Sequence, residues 1–298
     1  MKNLKFKLPI SIFIIFSIIL GTAFIVKNTQ ASVVVNLVTK WGSYGAEEIP
    51  TPYGVAVNSS GNVFVSDVGN NKIKKFDSSG NYVSSFGSFG SGDGQFNQPY
   101  GIAIDSSDNM YITDTGNDRV QKFDSSGVYV TQWGSSGSGN SEFIFPIGIA
   151  VDSSNNIYVV DNGSSRVQKF DSSGTYISQF GSNGSGNGEF LQAYGVAIDS
   201  FDNMYITDTG NDRVQKFDSS GVYVTQWGTS GTGDAEFTFP VAIAVDSSDN
   251  IYTTDIAINR VQKFNSSGTY ISQFGSTGSA DGLLDAPYGI VVNSSGDI

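Results

Sequence analysis

Three observations predict an all-β fold, a six-bladed β-propeller of four-stranded blades. A 47-residue period runs through the chain without slippage. It puts Phe76, Phe123, Phe170, Phe217 and Phe264 in one column and Gly80, Gly127, Gly174, Gly221 and Gly268 in another. A strict period in this range belongs to solenoids and propellers. Each unit holds four short β-type runs separated by turn chemistry, and four strands repeated radially make a propeller blade. Beyond residue 31, no stretch has helical periodicity.

The unit Phe96–Glu142 shows the elements in order. "YGIAID" is a short apolar run that ends in the turn "SSDN". "MYITD" follows, then "TGND", then "RVQKFD", then "SSG", and "VYVTQWG" closes the unit before a Gly/Ser-rich connector. Blades are expected to start near residues 52, 96, 143, 190, 237 and 284 of a propeller spanning 32–298. The sixth unit reaches only the start of its second strand, so the repeat length implies roughly 20 further residues. "VNLVTKWGSYG" (Val35–Gly45) reads as an unpaired fourth strand. Pairing it with the C-terminal strands would close the sixth blade and remove two open sheet edges.

The first 31 residues stand apart. Lys2, Lys5 and Lys7 precede an apolar run from Leu8 to Val26, and Thr29 and Ala31 offer a small-residue cleavage pattern. This is expected to be one hydrophobic helix, either a cleaved signal peptide or an uncleaved membrane anchor, with the propeller exported. The membrane is expected to be met only through this segment.

Missing residue types narrow the chemistry. The chain has no Cys and no His. Thiolate nucleophiles, disulfides, imidazole bases and ordinary zinc sites are thereby excluded. Of the 16 basic residues, four lie in residues 1–31, which leaves 12 basic against 28 acidic groups in the rest. Such a surface repels phosphate backbones, so nucleic acid is not an expected partner.

The repeats differ little. "DTGNDRVQKFDSSG" occurs at Asp114–Gly127 and again at Asp208–Gly221, and Ile104–Gly134 differs from Ile198–Gly228 only at Ser107 against Phe201. The pattern F-x-x-P-x-G-[IV]-A-[IV]-D, then [IV]-Y-x-x-D-x-G-N-x-R-[IV]-Q-K-F-D-x-x-G, resembles the NHL repeat of six-bladed propellers over about 250 residues by the repeat arithmetic. That resemblance implies the fold. For function it implies a spread, because the family includes binding scaffolds, sensor domains, RNA-binding domains and a few enzymes.

Four motifs carry the candidate chemistry. The first is D-x-G-N-x-[RK], with Asp67, Asp114, Asp161, Asp208 and Asp255 facing Lys72, Arg119, Arg166, Arg213 and Arg260 across a tight turn. It reads either as a pair that ties each blade together or as a ring of guanidiniums able to grip a partner. The second is the acidic or amide residue that closes each first strand: Asn58, Asp105, Asp152, Asp199, Asp246 and Asn293. Turn initiation explains it, and a ring of oxygen ligands for Ca²⁺ built on the four Asp is the alternative. The third is the position before the first-strand Gly: Tyr53, Tyr100, Ile147, Tyr194, Val241 and Tyr288. Here the copies differ, and the tyrosines suit a recognition surface as well as rim packing. The fourth is the Gly-rich loop ending in Phe96, Phe143, Phe190 or Phe237. With no helix behind it and no Lys in it, the loop is not a phosphate cradle, and its Phe is expected to plug inward.

The expected function is a non-catalytic, extracytoplasmic binding or scaffold propeller, a monomer with no cofactor. It presents one loop face, with Tyr53, Tyr100, Tyr194, Tyr288, Arg119, Arg166, Arg213 and Arg260, to a protein or cell-surface glycan. One alternative is a Ca²⁺-dependent lyase or hydrolase working in the channel. The zinc chemistry of the amidating lyase in the family needs His, which is absent. Another alternative is a substrate-binding propeller like those of NHL-bearing ubiquitin ligases, without their zinc module.

Overall fold

A computed structural model describes residues 48–280 and 282–298 in full, together with the backbone of three strands nearer the N-terminus. Five four-stranded antiparallel sheets follow one another in the chain. In the second, the strands are Pro99–Ile104, Met110–Asp114, Arg119–Phe123 and Tyr129–Trp133. The other four sheets begin at Pro52, Pro146, Ala193 and Pro240 and repeat that order.

Burial grades outward along each blade. All five residues of every second strand are buried, whereas the fourth strands alternate between half-buried and exposed. The second strand therefore lies between two neighbouring blades, and each core cluster spans a blade boundary. Ala56, Phe64 and Ile73 of blade 1 pack with Phe96, Ile102, Met110, Ile112 and Phe123 of blade 2. Phe96, Phe143, Phe190 and Phe237, the loop residues expected to plug inward, are fully buried. A buried aromatic ring removes roughly 150–250 Å² from water, so these plugs account for much of the adhesion between blades.

A blade-to-blade bond recurs from blades 1, 2 and 4; blade 3 has Val160 at the donor position, and Thr254 of blade 5 turns to its own Ala242 carbonyl. The Thr113 hydroxyl accepts from the Gly101 amide and donates to the carbonyl of Ile147 in the next blade, at 2.7 and 2.8 Å. Ser66 and Thr207 do the same toward Tyr100 and Val241. The first-strand Gly is needed there because a Cβ on it would strike the neighbouring backbone: Gly195 would meet the Val241 carbonyl at 2.6 Å.

The sixth place on the ring departs from expectation. Five complete blades are present among the described residues, not six. Residues 284–298 fill the sixth place without a strand ladder. Ile298 stands where the second strand of that repeat would begin, so among the described residues its first strand has no ladder partner. Packing holds the segment instead. Leu284, Ile290 and Ile298 bury against Ala244, Tyr252 and Val261 of blade 5, and Val291 packs against blade 1. A Cβ on Gly289 would strike the Tyr53 carbonyl, as at the boundaries that follow Gly54, Gly101, Gly148 and Gly195; blade 5 carries Ala242 in this column. The ring is thus closed by contact.

The N-terminal expectations are corrected where the chain is described. Ile15–Ile18 and Thr22–Lys27 are strands, not a helix. An Ile- and Val-rich apolar run suits a strand as well as a helix, and hydrophobicity alone does not separate them. Asn36–Trp41 is a strand, but it pairs with Thr22–Lys27 and does not complete the sixth blade. The remainder of the proposed signal or anchor lies outside the described residues. Among the described residues, no helix is long and apolar enough to cross a membrane.

Candidate functional site

The inner segments of all six repeats surround a narrow channel lined by small and aliphatic groups: Gly54, Val55, Ile102, Ile149, Val196 and Ile243 among them. At one end the channel opens into a cup of about 420 Å³. Its wall is Tyr53, Tyr100, Phe145, Tyr194, Phe239 and Tyr288, with Ile256 and Ala257. The four tyrosines singled out in the sequence therefore come together. Tyr53 meets Tyr100 edge-on, with ring centroids 4.3 Å apart, and lies 4.9 Å from Tyr288 at a shallow tilt. Phe145 and Phe239 close the gaps against Tyr100 and Tyr194, at 5.8 and 5.9 Å.

Those two phenylalanines were missed in the sequence, although a signal was present. In the two complete repeats where the Tyr position holds Ile147 or Val241, the residue two places earlier is Phe, where other copies hold Thr51, Gln98 or Gln192. Ile147 and Val241 are only 2 % exposed and face the channel below the cup. Phe145 adopts φ +59°, a left-handed conformation in which a bulky residue is rare, and Asp118 Oδ1 holds its amide at 3.0 Å. Blade 5 adds a second asymmetry. Its turn reads "DIAINR", and the Ile256 and Ala257 that replace the usual small residue and Gly line the cup.

The cup is lined by rings and aliphatic groups, and tyrosine hydroxyls are the polar side-chain groups among its lining residues. Burial pushes the Tyr53 hydroxyl well above the ordinary tyrosine range, and the nearby Tyr194, Tyr100 and Tyr288 hydroxyls push it further. Tyr100 and Tyr194 shift the same way, again chiefly by burial. The Tyr53 hydroxyl oxygen is buried and makes no hydrogen bond among the described residues. None of the described charged side chains lines the cup.

The arginines are elsewhere. Arg119, Arg166, Arg213 and Arg260 are each about 5–6 % exposed inside their blades. Arg213 uses all five donors: Nε to Asp208 Oδ2 at 2.7 Å, Nη1 to the Ser185 carbonyl and Gln226 Oε1, and Nη2 to the carbonyls of Gly186 and Glu189. This is the blade-tying role, reached through one Nε contact to the carboxylate with the fork spread over the Gly-rich loop. Guanidiniums so occupied and buried cannot reach a partner, so the gripping reading of these four residues is corrected. In blade 1 the residue in the Arg column is Lys72, yet Lys74 reaches Asp67, at 3.3 Å. In blade 5, where the turn has lost its Gly and Asn, Arg260 Nε has no partner among the described residues, and burial raises the Asp255 carboxyl.

Asp105, Asp152, Asp199 and Asp246 lie at the opposite end of the inner strands. Their oxygens are occupied. Asp105 Oδ1 accepts from the amides of Ser107 and Asn109, and Oδ2 accepts from Asn109 Nδ2 and the Tyr111 hydroxyl. Burial alone would raise this carboxyl, but those donors outweigh it and hold it below the usual range. The pairing is visible in blade 1, where Asn58 replaces the acid and Phe64 replaces the Tyr. Among the described residues no three acidic side chains come together as a metal cluster. These positions perform turn chemistry and do not assemble the oxygen ring suggested for Ca²⁺.

Known proteins share both the repeat and the blade. A family model described as NHL repeat matches residues 51–76, 96–123 and 143–170. The chain carries NHL repeats. A second model, described as a 6-bladed β-propeller, matches residues 200–275. No curated protein matches it in sequence.

Solved structures share its architecture at low identity. A virginiamycin B lyase from Staphylococcus aureus is 16 % identical, over 75 % of this chain and 69 % of the lyase chain, with a TM-score of 0.57. A chain of the nidogen/laminin complex is 17 % identical, over 94 % and 97 %, with a TM-score of 0.69. A Bacteroides caccae protein of unknown function is 11 % identical, over 95 % and 98 %, at 0.68. At such identities the likeness concerns the fold of the NHL propeller.

Proposed function

We propose that this propeller is an exported binding module without catalysis of its own, and that it engages a protein or glycan partner at the aromatic cup. One observation carries the reading. The copies are nearly identical in their framework and diverge at the cup: Tyr or Phe at alternating places, and Ile256 with Ala257 in one turn only. Duplicated blades preserve packing columns for packing reasons, whereas departures gathered on one mouth build a distinct surface there. The mouth is also the chemically suitable place, since rigid aromatic anchors with polar tips give large contact area at small entropic cost. The basic, apolar N-terminus supports export. The nidogen/laminin neighbour is a propeller in a protein complex, which agrees with a binding role.

Placement speaks against catalysis. A reaction needs different groups fixed around one centre. The cup offers phenols and hydrocarbon, and the repeated Asp and Arg residues are tied up in turns and blades and do not line it. The test uses immobilised full chain against extracellular extract, compared with the Tyr100→Ala/Tyr194→Ala double variant. Capture that disappears in a variant of unchanged melting temperature supports the reading. Equal capture by both proteins refutes the cup as the docking place.

A further inference from the structure

The cup's chemistry specifies more than a surface, and its ligand class can be inferred if the binding role just described holds. We infer that the cup receives a positively charged alkylammonium group, presented as a lysine side chain of a partner protein. Three features of the molecule lead there.

The first is the shape of the wall. The rings are inclined to one another, edge-on at Tyr53–Tyr100 and Tyr194–Phe239 and tilted at Tyr100–Phe145. They enclose a centre and do not form the flat shelf on which a sugar ring would stack. Aromatic faces carry negative quadrupole charge, so an enclosure of several rings attracts a cation at its middle. Below the cup, the channel is too narrow, at about 100 Å³, for more than a slender aliphatic group.

The second is the Tyr53 hydroxyl. It is buried and makes no hydrogen bond among the described residues, and the rings of Tyr100 and Tyr288 pack against that of Tyr53 at 4.3 and 4.9 Å. An unsatisfied buried hydroxyl costs about 1–3 kcal/mol, which a donor entering the cup would recover once the Tyr53 ring turns to present its oxygen. An ammonium bearing N–H supplies donors and a cation together, whereas a fully methylated ammonium supplies only the cation.

The third is charge. None of the described basic side chains lines the cup. The four arginines are locked inside their blades, and Lys169, Lys216 and Lys263 pair with Asp152, Asp199 and Asp246 at the other end of the ring. Behind the wall, Asp118 holds the Phe145 amide and Asp255 holds the Phe239 amide, at 3.0 Å each. The chain as a whole carries a formal charge of −12. A cation approaches with the field, and an anion against it.

The test titrates the full chain calorimetrically with n-butylammonium, which copies a lysine side chain, then with tetramethylammonium, 1-butanol and N-acetylglucosamine. The expected result is butylammonium binding about tenfold more tightly than isosteric 1-butanol. Its affinity should fall as salt rises from about 50 to 500 mM. Tyr53→Phe should weaken butylammonium about tenfold and leave tetramethylammonium unchanged. Equal binding of 1-butanol, binding of N-acetylglucosamine with no amine bound, or no binding of any amine would overturn the inference. In the last case, partner capture that still depended on Tyr100 and Tyr194 would leave the docking role standing and remove only the ammonium.

Discussion

Replacing Arg213 by alanine separates a structural arginine from a recognising one. The side chain is buried, and its five N–H groups reach Asp208, Gln226 and the carbonyls of Ser185, Gly186 and Glu189. Truncation leaves the Asp208 carboxylate buried without its cation. Asp208 keeps bonds from the Leu191 amide, Asn211 Nδ2 and Gln215 Nε2. Breaking a buried pair from one side costs about 3–5 kcal/mol. At roughly 2–4 °C per kcal/mol for a domain of this size, the melting temperature should fall by about 6–20 °C. Arg213→Lys should fall between, because one ammonium can satisfy the carboxylate but cannot span the loop carbonyls. The double variant Asp208→Ala/Arg213→Ala should lose less than the two single losses added together, since neither charge is stranded. Calorimetric melting of the four proteins checks this. A change under about 2 °C in Arg213→Ala, together with lost partner capture, would show that the guanidinium faces a ligand and does not hold the blade.

Other substitutions probe the cup, the seam, the plugs and the turns. Tyr53→Phe removes a buried hydroxyl that has no partner among the described residues, and should raise stability by up to about 1–2 kcal/mol in denaturant melts; a loss of that size would mean the hydroxyl is bonded. Gly289→Val places a side chain against the Tyr53 carbonyl at the contact-closed seam, so it should cost about 1–3 kcal/mol and enlarge the radius of gyration by small-angle scattering; an unchanged radius and melt would contradict closure there. Phe190→Ala empties a fully buried plug between blades 3 and 4 and should cost about 3–5 kcal/mol in the same melts. Hydrogen-bond donors hold Asp105, Asp152, Asp199 and Asp246 below their ordinary range in spite of burial. The folded state therefore binds protons at these sites less readily than the unfolded state. Their stabilisation is present above the unfolded value near 4 and is lost as pH falls through the lower folded values. Melting temperature should drop over that interval, and Asp105→Asn should flatten the drop, as Asn58 keeps the same turn amides.

The blades were legible in the sequence because their determinants are local and repeated. Columns of Phe, Gly and Asp fix plug, turn and hairpin in each unit, and the pairing of Asp114 with Arg119 follows from the turn length between them. What the repeat could not show was the behaviour of its ends. The sixth repeat has first-strand residues with no second strand to pair with among the described residues, and packing with a few single hydrogen bonds, such as Ala286 N to Asn259 Oδ1, sets its conformation. Asn36–Trp41 has strand character, but strand character does not choose a partner. The cup was half legible. Four tyrosines in one column were visible, whereas Phe145 and Phe239 sit two residues away in the column that holds Gln98 and Gln192. Only the buried placement of Ile147 and Val241, with Phe145 and Phe239 lining the cup in their stead, shows that the two columns exchange roles. Arg119 and its copies could be read either way, because sequence gives neither their burial nor the loop carbonyls that surround them.

The most direct measurement places a photo-crosslinking phenylalanine analogue at Phe145 on the cup rim, and separately at exposed Phe201 on the opposite end of the ring, in the full chain. A partner that docks at the cup will be captured covalently from position 145 and not from position 201. Equal capture from both, or capture from 201 alone, would contradict a binding function centred on the aromatic mouth.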